Sequence, residues 1–333
     1  MKREPPFSSS LALVFHRYLE LKRALGCTFS VERRVLHSLD RFLPDPSNNS
    51  SDLTSRTFQQ WCRTHETVAS GERRTRMRTI YNFCLYRRRT EPDCFVPNPL
   101  LFPLPHQRLR PYIFSESDVA RLLAASSRLL PAPSSPLRAE VIHLVIALLH
   151  TTGMRCGELL RLTAGDYDAK EGTLLVRDSK FHKSRVLPLH HDMVNEIDRH
   201  LQLRRKLHLS MSPETPLIWN SRGGGRHYTP TGLQGNLKIL LNQCNIRTAQ
   251  GRLPRIHDFR HGFAVNALLR WYRTGSDVGA RLPFLATYLG HVSIASTYYY
   301  LQFIEPLRTL ASKRFADHYE KLVTPPSSKE GRR

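Results

Sequence analysis

HDFRHGFAVNALLRWYRTGSDVGARLPFLATYLGHVSIASTYYY, residues 257–300, is the stretch around which this chain is organised. It opens on His257, Asp258, Phe259, Arg260 and His261. It passes through Leu289, Gly290 and His291, and it closes on Tyr298, Tyr299 and Tyr300. Upstream, T-G-M-R-C-G-E-L-L-R-L sets Arg155 and Glu158 just after an apolar run. Two arginines, two histidines and a tyrosine suit the attack of a phenolate on a phosphodiester. Each guanidinium offers a planar fork of donors to phosphate oxygens and stays charged at any working pH. The tyrosine supplies a covalent nucleophile, and histidine moves protons near neutrality.

The spacings constrain this chemistry. Arg155 and Glu158 stand at i and i+3, so they share a helix face, where the carboxylate can lock one edge of the guanidinium. Alone, such a pair would read as a surface ion pair of little worth. His257 and Arg260 repeat the interval. A metal reading competes here, because His257 and His261 fall at i and i+4 as in the H-E-x-x-H of zinc peptidases. Asp258 is shorter than the required glutamate, and Arg260 would set a cation beside the metal. The zinc reading is set aside, and His261 becomes a structural neighbour of the site.

His291 and Tyr300 stand nine positions apart. On one straight helix they would lie about 900° and about 13.5 Å apart, on opposite faces. The chain must therefore break between them, at Ser293 or at Ser296-Thr297, both good caps. Three consecutive helical tyrosines would point about 100° apart, so only one can serve as nucleophile.

At these residues the chain resembles the tyrosine recombinase (phage integrase) family, over roughly its C-terminal two-thirds. Arg155 sits in a T-G-x-R-x-x-E-L block, His257 and Arg260 in H-x-x-R, and His291 in L-G-H, with Tyr300 at the family's interval. Four blocks in order carry the resemblance. It implies that Arg155 and Arg260 hold the scissile phosphate, with Glu158 in support. It implies that Tyr300 attacks to leave a 3′-phosphotyrosyl bond, that His257 acts as acid/base, and that His291 hydrogen-bonds the phosphate. Lys180 matches the lysine that protonates the leaving 5′-oxygen. Lys183, with Arg185 nearby, would contact the DNA backbone. No cofactor, metal or ATP is implied, since the bond energy is kept in the phosphotyrosine. The implied partner is double-stranded DNA, with a homo-tetramer joining two sites through a Holliday junction; related recombinases or accessory proteins are left open. The implied activity is site-specific recombination in DNA integration, excision or transposition. A type IB topoisomerase, which shares the chemistry, and a catalytically silent DNA-binding regulator are the alternatives.

Composition agrees with a nucleic-acid partner. In 333 residues, 50 Lys and Arg stand against 28 Asp and Glu, a net charge of +22. Such an excess implies a polyanion, and neither a lipidation signal nor a long basic amphipathic helix points to a membrane surface. The six cysteines form no C-x-x-C pair and read as reduced thiols. With no long apolar run and no signal-peptide core, a cytoplasmic protein, nucleoid-associated if bacterial, is expected.

The remaining sequence reads as mostly α. Residues 1–95 read as a small all-helical domain, with 1–10 disordered, and the resemblance implies that it is the family's core DNA-binding (SAM-like) domain. Its first helix carries Val14, Tyr18, Leu21 and Leu25 on one face and stops at Gly26. Three further helices are marked by Val35–Leu43, by Phe58–Cys62 and by Met77–Leu85. The fourth carries Arg73, Arg74, Arg76 and Arg78, with Arg87, Arg88 and Arg89 beyond, and reads as a phosphate-tracking face in preference to a solvated one. Residues 96–111 are a proline-rich basic linker. Residues 112–323 form a mixed α+β catalytic domain with a small antiparallel sheet, and 324–333 a disordered tail. Within the domain, Ser115 and Asp118 form a capping box, and residues 139–150 read as a buried helix. Residues 173–177 and 185–189 read as paired strands around Lys180 and Lys183. R-G-G-G-R (222–226) lacks the G-K-S/T ending of a nucleotide loop and reads as a loop over DNA or as none.

Overall fold

The computed structural model describes residues 6–26, 29–43, 52–104, 110–177 and 184–303. It divides into two compact units, Met1–Leu109 and Arg110–Arg333.

The first unit is helical: α1 (Ala12–Ala24), α2 (Ser30–Phe42), α3 (Ser55–Arg63) and α4 (Ser70–Arg87). Aromatic residues fill its core, with Phe15, Tyr18, Trp61 and Phe83 buried beside Leu36, Leu39 and Ile80. The buried stripe of α1 is Leu11, Phe15, Tyr18 and Leu19. The expected stripe ending at Leu25 is displaced, and Leu25 is 64% exposed, because Phe15 offers more apolar area to bury.

Residues 6–10, expected to be disordered, are held. Phe7 stacks on His37 with ring centroids 4.0 Å apart, and the Ser8 and Ser9 N–H groups both donate to Asp40, each at 2.9 Å. Residues of the expected linker between 96 and 104 pack on this unit. Phe102 is buried in this core, with Phe95 and Val96 packed against it, and Arg74 Nη1 donates to the Pro103 carbonyl at 2.6 Å.

In the second unit α5 (Glu116–Ser126) carries both bonds of the Ser115–Asp118 capping box. The central α6 (Arg138–Thr152) is buried along Val141, Ile142, Leu144, Val145, Ile146, Leu148 and Leu149. It packs against α5, against α8 (His191–Lys206) and against α10 (Asp258–Arg273). Such a helix is apolar on most sides because neighbours cover most sides. Gly153 ends it at φ 59°, where a Cβ would meet Phe263 at 2.6 Å, and α7 (Cys156–Arg161) follows. The sheet is antiparallel, β1 (Tyr167–Asp168), β2 (Thr173–Val176) and β3 (Arg185–Pro188), with Thr173 opposite Pro188 and Val176 opposite Arg185. The short β1 lay below the reach of sequence periodicity.

R-G-G-G-R is a turn of a second small sheet, β4 (Trp219–Asn220) with β5 (Arg226–His227). After α9 (Pro230–Gln243) and α10 come α11 (Val278–Leu289) and the short α12 (Ala295–Tyr298), which tightens into a 3-10 turn, Tyr299–Phe303. A satellite core of Ala264, Val265, Leu268, Leu282, Leu285, Leu289 and Tyr300 joins these last elements. No helix among the described residues is long and apolar enough to cross a membrane.

Candidate active site

The chain turns sharply at the end of α11, and the site is built around that turn. Gly290 adopts φ 67°, and its N–H closes the helix onto the Thr287 carbonyl. The last carbonyls of a helix lack internal partners and carry partial negative charge. Here three consecutive ones each accept from a different arginine. Tyr288 O takes Arg185 Nε at 2.8 Å, Leu289 O takes Arg260 Nη2 at 2.7 Å, and Gly290 O takes Arg155 Nη2 at 3.2 Å. Arg260 also reaches the other helix end, donating from Nη1 to Gly153 O at 3.0 Å.

Glu158 is the anionic centre of this arrangement. Its side chain is 2% exposed, and it accepts four donors. Arg155 supplies its backbone N–H at 3.0 Å and Nη1 at 2.8 Å, and Arg185 supplies Nη2 at 2.8 Å and Nη1 at 3.2 Å. Burial pushes the carboxyl pKa up. The hydrogen bonds and charges of Arg185 and Arg155 outweigh it and bring the value down to about 2. Glu158 is therefore ionised at any pH the folded protein meets.

Arg260 is 2% exposed, and among the described residues no carboxylate forms an ion pair with it. Burial, and then Arg155, pull its pKa down to about 10, against the pull of nearby Tyr300 and Glu158. It remains a cation at neutral pH, in a pocket that an anion would complete.

Tyr300, 3% exposed, lies among these groups. Its ring stacks on His291, centroids 5.9 Å apart and 19° from parallel, and it meets His261 edge-on at 5.5 Å. The break that the spacing demanded begins at Gly290. The chain restarts at α12, whose N-cap is Ile294; Ser293 lies in the turn before it and accepts the Ala295 N–H at 3.3 Å, whereas Ser296 and Thr297 lie inside the helix.

His291 Nδ1 lies 2.8 Å from Thr297 Oγ1, a partner the sequence reading missed. Burial and the cations Arg260, Arg155 and Arg185 lower the His291 pKa to about 4. His261, lowered to about 4 by burial and His257, packs edge-on to His257 at 4.8 Å. His257 caps α10, and desolvation by its packed neighbours, followed by Arg260, lowers its pKa. Asp258, the carboxylate that the metal alternative would use, is paired with Arg255, accepting its N–H at 2.8 Å and Nη2 at 3.1 Å.

The structure thus brings together Arg155, Glu158, His257, Arg260, His291 and Tyr300. Tyr298 is 52% exposed and points elsewhere. Lys180 and Lys183 lie outside the described residues. Arg185, expected on the DNA backbone, is a correction: its guanidinium is 11% exposed and turned inward. The signal was present in the strand alternation, since Arg185 shares a face with buried Leu187.

The proposed DNA-tracking arginines of α4 do not form one stripe. Arg74 is bonded to Pro103, Arg76 pairs with Glu72 at 2.6 Å, Arg73 is half-buried, and Arg78 is exposed. Arg87 is buried between Asp52 and Glu91 and holds the unit together.

The phage integrase family model matches residues 113–304. The integrase/recombinase-type protein y4rB of Sinorhizobium fredii is 30% identical over 94% of this chain and 99% of its own length. The tyrosine recombinase XerD of Bradyrhizobium diazoefficiens is 26% identical over 91% of this chain and 95% of its own. Among solved structures, the Tn1549 transposon integrase in complex with transposon right end DNA shares the fold. It matches at a TM-score of 0.60 and 18% identity, covering 91% of this chain and 99% of that one. The chain belongs to the phage integrase family, the tyrosine recombinases. Neither a relaxing topoisomerase nor a silent DNA-binding regulator is favoured by these relatives.

Proposed function

We propose that this protein cuts and rejoins double-stranded DNA at specific sites through a 3′-phosphotyrosyl intermediate formed by Tyr300. The observation that carries this reading is the convergence of Tyr300, Arg260, Arg155 and His291 in one pocket, with the tyrosine ring stacked on His291. Arg155 and Arg260 neutralise the charge that builds on the non-bridging oxygens of the scissile phosphate. Arg155 is already oriented by Glu158 and the Gly290 carbonyl, and Arg260 by the carbonyls of Gly153 and Leu289, so little reorganisation is needed during the reaction.

His291 Nδ1 and Thr297 Oγ1 lie 2.8 Å apart; in the tautomer this reading requires, the hydroxyl donates to Nδ1 and the ring proton sits on Nε2 to hydrogen-bond the phosphate. His257, its pKa lowered by burial and then by Arg260, serves as acid/base. Lys180 protonates the departing 5′-oxygen, and the tyrosine keeps the bond energy for religation, so neither ATP nor a metal ion is consumed. Four protomers act on two duplexes.

The test is covalent capture on a nicked suicide substrate. Wild type should form a protein–DNA adduct, Tyr300→Phe should bind DNA without one, and Tyr298→Phe should retain it. An adduct in Tyr300→Phe mapped to another tyrosine would overturn the assignment.

A further inference from the structure

Arg185 has no place in the chemistry above, yet it is the most heavily engaged cation of the site. It donates from three of its nitrogens: Nε to Tyr288 O, Nη1 to Glu158 Oε1 and Nη2 to Glu158 Oε2. The two bonds to Glu158 form the parallel fork that only a planar guanidinium makes. Room for it is reserved by its neighbour, because a Cβ on Gly290 would lie 2.8 Å from Arg185 Nη1 and 3.1 Å from its Cζ. Without Arg185, Glu158 would keep, among the described residues, Arg155 as its one charged partner, and the Tyr288 carbonyl would lose this donor.

From this geometry we infer that Arg185 is a positioning residue for cleavage, working through Glu158 and the 288–290 turn and never touching DNA. It holds the Glu158 carboxylate in the one orientation that fixes both the backbone and the guanidinium of Arg155. It also anchors the turn from which His291 is hung. The strand β3 is thereby tied to the phosphate-binding arginines. The inference rests on the strand-transferase reading, in which Arg155 binds the scissile phosphate.

The test uses full-length protein and a suicide substrate, with cleavage measured in single turnover and DNA affinity measured separately across salt. Displacing Arg155 by even an ångström costs roughly a hundredfold in rate. Arg185→Ala should therefore slow adduct formation by about that factor. Its DNA affinity and salt slope should stay at the wild-type level, since it spends no charge on phosphate. Arg185→Lys, which keeps the charge and most of the stem, should fold and yet stay slow, because an ammonium cannot make the fork.

In the double variant Arg155→Ala/Arg185→Ala, the combined loss should fall well short of the product of the two single losses, because the part of the Arg185 effect that passes through Arg155 is already gone. Independent, multiplying losses would overturn the inference. So would a salt slope flattened by about 0.9 with lysine restoring the rate, the signature of a phosphate contact. If Arg185→Ala fails to fold, Arg185→Lys alone decides between these outcomes. A wild-type protein that forms no adduct on any substrate would instead sink the strand-transferase reading, and an adduct indifferent to Arg185 would sink this inference alone.

Discussion

The rings of His291 and Tyr300 stack with centroids 5.9 Å apart, although they stand nine positions apart in the chain. A continuous helix would put these side chains on opposite faces. They meet because α11 stops at Gly290 in a left-handed conformation, and because the chain restarts as a short helix that tightens to a 3-10 turn at Tyr299. The nucleophile candidate is thus carried on a segment of its own, held in place by aromatic packing and by a 2.8 Å contact between His291 and Thr297.

Gly290 should be intolerant of a side chain. A left-handed alanine costs about 1–2 kcal/mol in the backbone, and its Cβ would press on Arg185 Nη1 at 2.8 Å. Arg185 cannot swing away without leaving Glu158. Gly290→Ala should lower thermal stability only modestly while abolishing most adduct formation, with DNA affinity little changed. A variant that cleaves at the wild-type rate would show that the turn is not what orients the arginines.

Acid should destabilise the free protein in a defined window. His261 and His291 have folded pKa values of about 4. The same holds for His200 on α8, where burial and then Arg204 lower it. An unfolded histidine titrates near about 6.5. Because the folded values are depressed, the unfolded state binds more protons in between. Stability is fully present above that value, falls as pH drops towards 4, and no longer changes on their account below it. Urea denaturation from pH 7.5 to 4 should show this slope. His200→Leu should remove about one proton from it, whereas an unchanged slope would mean that His200 titrates normally.

Much of this was legible from residue types and intervals, and what was missed has a common cause. Arg155, Glu158, His257, Arg260, His291 and Tyr300 lie in short motifs whose spacing already encodes a shared helix face or an enforced break. Arg185 carries a charge, and charge alone suggested solvent and phosphate. Its inward direction depends on a strand phase set by Leu187 and on a carboxylate 27 residues away. The same holds for Arg87, whose partner Asp52 is 35 residues distant, and for residues 6–10, ordered by Asp40. Periodicity reports which face is apolar. It does not report which distant carboxylate will claim a cation.

The arginines of α4 should contribute unequally to DNA binding. Each phosphate neutralised contributes about −0.9 to the log–log salt slope. Exposed Arg78 is free to make such a contact, whereas Arg76 is already paired with Glu72 and Arg74 is tied to Pro103. Arg78→Ala should flatten the slope by about one unit. Arg76→Ala should change it less, and Arg74→Ala should act mainly on stability. Equal effects from all three would restore the uniform basic face that the sequence suggested.

The two lysines between β2 and β3 can be separated by leaving-group chemistry. An alkoxide leaves poorly, so expelling the 5′-oxygen requires a proton in the transition state. If Lys180 delivers it, Lys180→Ala should cut cleavage by roughly a hundredfold or more. A substrate with sulfur at the 5′ bridging position leaves as a thiolate and needs no such proton. Lys180→Ala should cleave that substrate at close to the wild-type rate. Arg155→Ala and Arg260→Ala should remain slow on it, because they stabilise the phosphate and not the leaving atom. Arg185→Ala should remain slow as well, since its effect passes through Arg155. Lys183→Ala should lose similar amounts on both substrates and show its defect in the salt dependence of binding. Should sulfur rescue Lys183→Ala and leave Lys180→Ala slow, the acid role passes to Lys183 and the register assigned to this hairpin is three residues out.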